Sequence, residues 1–150
     1  MRWLLLLLLV LAGSASAVEK ISPDPKAVEL CTRFLQALSL EDETARLQAV
    51  MPLLHKSMYS NDKKGLAPNV RDFSYKKAVM NVKFYAIPAE ITEVHQGKVV
   101  TVSVGETAER GRIDKYFVAK KEGQTGMPAP LHVLWPESGG PPVLVNIGSL

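Results

Sequence analysis

His55, His95 and His132 are the three histidines of a 150-residue chain. Each could act as a general acid or base, because imidazole titrates near neutrality, provided a partner stands within hydrogen-bond reach. Tyr85, Tyr116, Asp114 and His132 are the polar or aromatic residues of first interest. Trp135 stands beside the turn-rich run Pro136-Glu137-Ser138-Gly139-Gly140-Pro141-Pro142, with Tyr116 and Phe117 earlier in the same half, and offers an aromatic rim for a ligand. Tyr85, Tyr116, Asp114, His132 and Trp135 are therefore the ligand-pocket candidates. Each also has a plainer use. His55, at the apparent end of a helical stretch, can satisfy terminal carbonyls, His95 precedes a turn, and His132 alternates with apolar strand neighbours. Trp135 has the large buried area of a core or sheet-end residue. The mixed-sign run Glu106, Glu109, Arg110, Arg112, Asp114 and Lys115 reads as a solvated strand or loop edge.

No motif fixes a reaction. The sequence has no glycine-rich phosphate loop, paired-histidine zinc helix, two-cysteine knuckle or serine elbow, so nucleotide hydrolysis, zinc proteolysis and ordinary serine hydrolysis lose their usual support. The spacing of the histidines favours no metal site, the catalytic residues stay unassigned, and no cofactor is called for. Polyanion binding is a poor fit: without Arg2, seventeen Lys and Arg remain against fifteen Asp and Glu, so nucleic acid is not an expected partner.

The elements that must position these groups follow an address. Residues 1–17 read as a signal peptide: Arg2, the apolar run Leu4 to Leu11, and Ala15-Ser16-Ala17, after which cleavage is expected. The apolar run falls short of the roughly 20 residues a stable anchor needs, so the expected product is exported, periplasmic or secreted, with no membrane anchor after cleavage. Residues 18–150 have the length of a single domain. After an extended lead-in over Val18 to Ser22, Asp24 caps a helix with Pro25 at its first position, and Ala27, Cys31, Phe34, Leu35 and Leu38 share one face. Cys31, the one cysteine, sits in that face and is expected to be buried. Ser39 with Asp42 suggests a capping box for a second helix. Pro52 either kinks that helix or opens a second short one at Met51 or Pro52. Ser60 to Pro68 is an exposed loop, and Asn69 with Asp72 opens a third helix from Val70 to about Tyr85.

From Ala89 the period becomes alternating. Glu90–His95 and Lys98–Val104 flank Gln96-Gly97, read as a tight hairpin turn, with Val100, Val102 and Val104 toward the core. Ile113–Lys120, Leu131–Trp135 and Val143–Ile147 supply further strands, all antiparallel, with Lys120 and Lys121 blunting a strand end. The expected class is α+β: two or three N-terminal helices packed on a curved antiparallel sheet of about four to six strands.

The helix Ala27–Leu38 and the closing pair Leu131-His132-Val133-Leu134-Trp135 and Val143-Leu144-Val145-Asn146-Ile147-Gly148 give an order of elements that resembles the nuclear-transport-factor-2-like superfamily, over about Asp24 to Leu150. The resemblance implies a cone-like fold with a pocket between the sheet's concave face and the helices, used by some relatives for isomerase or dehydratase chemistry and by many only to bind or dimerise. The first reading is a non-catalytic exported domain that binds a small apolar ligand or another envelope protein, since it requires no missing motif. The alternatives are an isomerase- or dehydratase-like pocket enzyme and a self-associating accessory subunit, a homodimer.

Overall fold

The computed structural model describes residues 21–150; the expected signal peptide, its expected cleavage point and most of the expected lead-in lie outside the described residues. Three helices precede a curved, unclosed sheet of five strands: α1 Pro25–Leu38, α2 Glu43–Val50, α3 Lys76–Asn81, then β1 Ile91–His95, β2 Val99–Val104, β3 Thr107–Val118, β4 Ala129–Pro136 and β5 Val143–Asn146. No described helix is long and apolar enough to cross a membrane.

α1 forms as its sequence directs. The Asp24 side chain accepts from the Lys26 N–H at 2.8 Å, Pro25 occupies the first helical position, and Ala27, Leu30, Cys31, Phe34, Leu35 and Leu38 are buried. Burial pushes the Cys31 thiol up to about 12, so the lone sulfhydryl behaves as a core apolar group. The capping box at Ser39 does not form. The Ser39 hydroxyl donates to Leu35 O at 2.9 Å and closes α1, while Asp42 itself caps α2 by accepting from the Ala45 N–H at 2.7 Å. α2 stops before Pro52, which enters a 3₁₀ turn over Met51–Leu53, and a second such turn follows over Lys56–Met58. The third helical stretch begins as a wide turn over Val70–Tyr75, passes into α3, and ends in a 3₁₀ turn over Val82–Phe84. Asn69 makes no side-chain cap there, and Asp72 pairs instead with Arg71.

The sheet departs from the sequence reading at Gln96-Gly97. β1 and β2 are not a hairpin. Both lie along one edge of β3, β1 beside Lys115–Val118 and β2 beside Thr107–Arg112, and β4 and β5 follow on the other edge. Every strand pair is antiparallel. The hairpin lies between β2 and β3, where Gly105 adopts φ 57°. His95 pairs with Lys115 and Val99 with Arg112, so residues 96–98 face only residues 113 and 114. One residue is extra, which makes a bulge, and a one-residue slip exchanges the two faces of a strand. Val94 therefore shares the inner face with Tyr116. Val100, Val102 and Val104 fall opposite Gly111, Glu109 and Thr107 and do not enter the core; Val100 is 39% exposed.

The core joins Phe34, Leu35 and Leu38 of α1 to Tyr116, Leu131, Val133 and Leu144 of the sheet, with Val50, Ile147 and Leu150 at its ends. Leu54 and Leu144 form a parallel bridge, and the His55 N–H donates to Leu144 O at 2.7 Å, which covers part of the outer edge of β5. At the bulge, a Cβ on Gly97 would lie 1.7 Å from Ile113 O, so only glycine fits. Gly97→Ala should cost about 2–3 kcal/mol of stability through that backbone clash. Urea unfolding checks this; a wild-type midpoint for the variant would contradict the close approach.

Candidate functional site

Alternation on β3 sends Asp114, Tyr116 and Val118 inward, opposite Val133, Leu131 and Ala129 of β4. Asp114 and Tyr116 thus meet on one face, a buried carboxylate beside a tyrosine. Asp114 is 0% exposed, which corrects its reading as part of a solvated run. Its oxygens are fully engaged: Arg112 Nε donates to Oδ1 and Arg112 Nη2 to Oδ2, both at 2.9 Å, and the Gly97 N–H donates to Oδ1 at 3.0 Å. A bidentate guanidinium with a backbone donor is the arrangement that lets a charge stay buried. The hydrogen bonds that Arg112 donates to Asp114 hold its guanidinium above its usual value.

Tyr116 is closed in as well. Its hydroxyl accepts from the Asp24 N–H at 3.4 Å, and burial holds the phenol above its usual 10.0. The concavity under the sheet is filled by Phe34, Leu35, Tyr116, Leu131 and Val133, each at most 1% exposed. Neither Asp114 nor Tyr116 lines the cleft between α1 and the β4–β5 loop or the one beside the β2–β3 hairpin tip. Asp114 is a fastening of the fold, with no lone pair facing a substrate.

Tyr85 and His132 lie apart from this pair. Tyr85 bridges to Lys120 beyond the end of β3, with Lys120 Nζ 4.2 Å from its ring centroid. His132 alternates onto the opposite face of β4, between Lys115 and Asn146 of the neighbouring strands. His95 hydrogen-bonds Glu93 on β1 and tilts against Phe117, with ring centroids 4.7 Å apart.

Trp135 borders an open cleft. It faces inward opposite Arg112, near the sheet's edge, where the β4–β5 loop passes α1. A cleft of about 520 Å³ lies there, lined by Lys26, Glu29 and Arg33 of α1, Trp135 of β4, and Pro141 and Pro142 of the loop. None of the ion pairs among the described residues involves Lys26, Glu29 or Arg33. The Trp135 indole N–H is shielded from solvent and has no acceptor among the described residues. An indole N–H can only donate, and leaving such a group unmet costs about 1–3 kcal/mol. The cleft therefore offers an aromatic face, proline walls and charges of both signs. The basic and acidic groups on α1 were legible only as the polar face of an amphipathic helix; their convergence on Trp135 depends on where the loop falls.

No family model, curated protein or solved structure matches this chain.

His132 has a pH signature. Burial, and then the Lys115 ammonium beside it, hold its imidazole below the usual 6.5. The folded state resists a proton that the unfolded chain accepts, so the stability His132 contributes is present above that usual value and is lost as pH falls through the lowered one. Urea unfolding at about pH 7.5 and about pH 5 should show the wild type losing more stability on acidification than His132→Asn. Equal losses in the two proteins would contradict the assignment.

Proposed function

We propose that this protein is an exported binding domain that holds a small, largely apolar ligand in the cleft between α1 and the β4–β5 loop. The observation that carries the reading is the Trp135 indole, half-buried and flanked by prolines at the wall of an open cleft. A ligand entering there would lay an apolar body against the ring. The volume of about 520 Å³ lies within the range of small-molecule sites, as does the mixture of apolar walls with a few polar groups. Export rests on the leader-like composition of residues 1–17. The order of three helices before a curved antiparallel sheet supports the proposed kinship with the nuclear-transport-factor-2-like superfamily, many of whose members bind without catalysis. An isomerase-type reaction under the sheet finds no support, because the carboxylate it would use is held by Arg112 and the space around it is filled.

Native mass spectrometry of the purified mature chain should show a species heavier by one small molecule. Trp135→Leu, which keeps an apolar side chain but removes the aromatic face, should lose most of it while remaining folded. Trp135 is the only tryptophan after residue 17, so stripping the ligand should also shift the protein's tryptophan emission. A bare-chain mass for the wild type, or equal retention by Trp135→Leu, would sink the reading.

A further inference from the structure

His55 is 4% exposed and touches two groups that its neighbours in sequence do not announce as a set. Its Nε2 lies 2.8 Å from Oε2 of Glu109, fifty-four residues away on β3, and its Nδ1 lies 2.8 Å from Oγ of Ser57. The backbone N–H of Ser57 also donates to Nδ1, at 3.2 Å. These contacts fix the ring's proton. A backbone N–H has only a proton to offer, so Nδ1 must be the bare nitrogen, and a carboxylate only accepts, so Nε2 carries the hydrogen and donates to Glu109. The Ser57 hydroxyl then donates to Nδ1. The sequence reading placed His55 at a helix end, satisfying carbonyls; it instead stands at the start of the Lys56–Met58 turn as an acceptor.

The result is a hydroxyl, an imidazole base and an orienting carboxylate in series, the order that activates a serine nucleophile. Ser57 is exposed and borders a cleft of about 560 Å³ between the Lys56–Lys63 segment and the tip of the β2–β3 hairpin. Lys56, Lys63, Asn61 and Thr107 line the same cleft, with Glu106 as its one acidic residue. Two lysines and an asparagine along the same cleft supply a setting in which negative charge on an oxygen can develop. This cleft is separate from the one at Trp135, with which it shares no lining residue.

We propose that Ser57, with His55 as its base and Glu109 as a positioning residue, is an acyl-transfer nucleophile that hydrolyses small polar carboxylic esters entering this cleft. Ser57 Oγ attacks the ester carbonyl carbon as its proton passes to His55 Nδ1, and Glu109 stabilises the resulting imidazolium through Nε2. The tetrahedral adduct collapses with cleavage of the ester C–O bond; His55 returns the proton to the leaving oxygen, which departs as the alcohol. Water then attacks the acyl-serine, its proton passes to His55, and cleavage of the acyl–Oγ bond releases the acid and restores the Ser57 hydroxyl. The net change is ester and water to acid and alcohol, with no redox partner.

A fluorophosphonate reagent and p-nitrophenyl acetate test the assignment on the mature chain. Peptide mapping should locate the phosphonyl adduct on Ser57. Ser57→Ala, an exposed substitution expected to leave the circular dichroism spectrum unchanged, should slow ester hydrolysis by at least about a hundredfold. Glu109→Gln, also folded, should lower kcat by about tenfold or more while leaving KM unchanged, a split that a merely structural contact would not produce. Absence of an adduct on Ser57, wild-type hydrolysis by folded Ser57→Ala, or wild-type kcat in Glu109→Gln would each overturn the proposal.

Discussion

A carboxylate with no access to water governs how this sheet is put together. Asp114 is fully buried in the middle of the longest strand, and a bare charge there would be prohibitive without compensation. Compensation comes from two directions: the Arg112 guanidinium, two residues away on the same face, and the Gly97 N–H, from the adjoining edge. The second donor explains the bulge. An extra residue in an edge strand leaves an amide without a ladder partner, and here the carboxylate supplies the acceptor. Gly97 must be glycine because the same geometry brings it against the carbonyl of Ile113.

The consequences spread along β3. Because the edge strand breaks at residues 96–98, β1 completes the domain core while β2 continues beside a stretch of β3 that outruns β4. With β2 that stretch forms an arm, and β2 packs on the Lys56–Met58 turn. Glu109 rides on the arm, and its meeting with His55 ties the helical half of the chain to the sheet. The cleft beside Ser57 exists because the hairpin tip comes down next to the Lys56–Lys63 segment. Breaking a buried ion pair by removing one partner typically costs about 3–5 kcal/mol, whereas keeping it adds little net stability over an apolar pair. The more telling effect of Asp114 is on register: a slip of one residue would turn it, together with Arg112, to the outer face and detach the Gly97 donor.

Local signals were read correctly and distant ones were not. The Asp24 cap, Pro25 and the apolar stripe of α1 act within a few residues, so sequence alone defined that helix and the burial of Cys31. The change of period near Ala89 likewise announced an antiparallel sheet. Ser39 and Asp42 were assigned to one cap because their spacing permits it; the competing acceptor, Leu35 O, lies on the preceding helix. Gln96-Gly97 looked like a hairpin because glycine in a short polar gap usually means a turn, but its actual task, close approach to Ile113 and Asp114, is set by residues far along the chain. The bulge then reversed the expected faces of Val100, Val102 and Val104. Asp114 was among the candidates for chemistry and also belonged to a charged run; its burial follows from tertiary pairing that the run does not encode. Trp135 was singled out from its Pro-Gly neighbours and lines the cleft beside α1, whereas the partnership of His55 with Glu109 carries no local mark.

The most direct test of the central constraint is hydrogen exchange at the Gly97 amide in the native protein. If that N–H donates to a sealed carboxylate, it should exchange about as slowly as the paired amides of Tyr116 and Val118 in the middle of the sheet, and Asp114→Asn should speed it markedly more than it speeds amides in α2. Exchange at Gly97 as fast as in the exposed loop around Gly123, with Asp114 intact, would contradict the claim that this carboxylate organises the sheet.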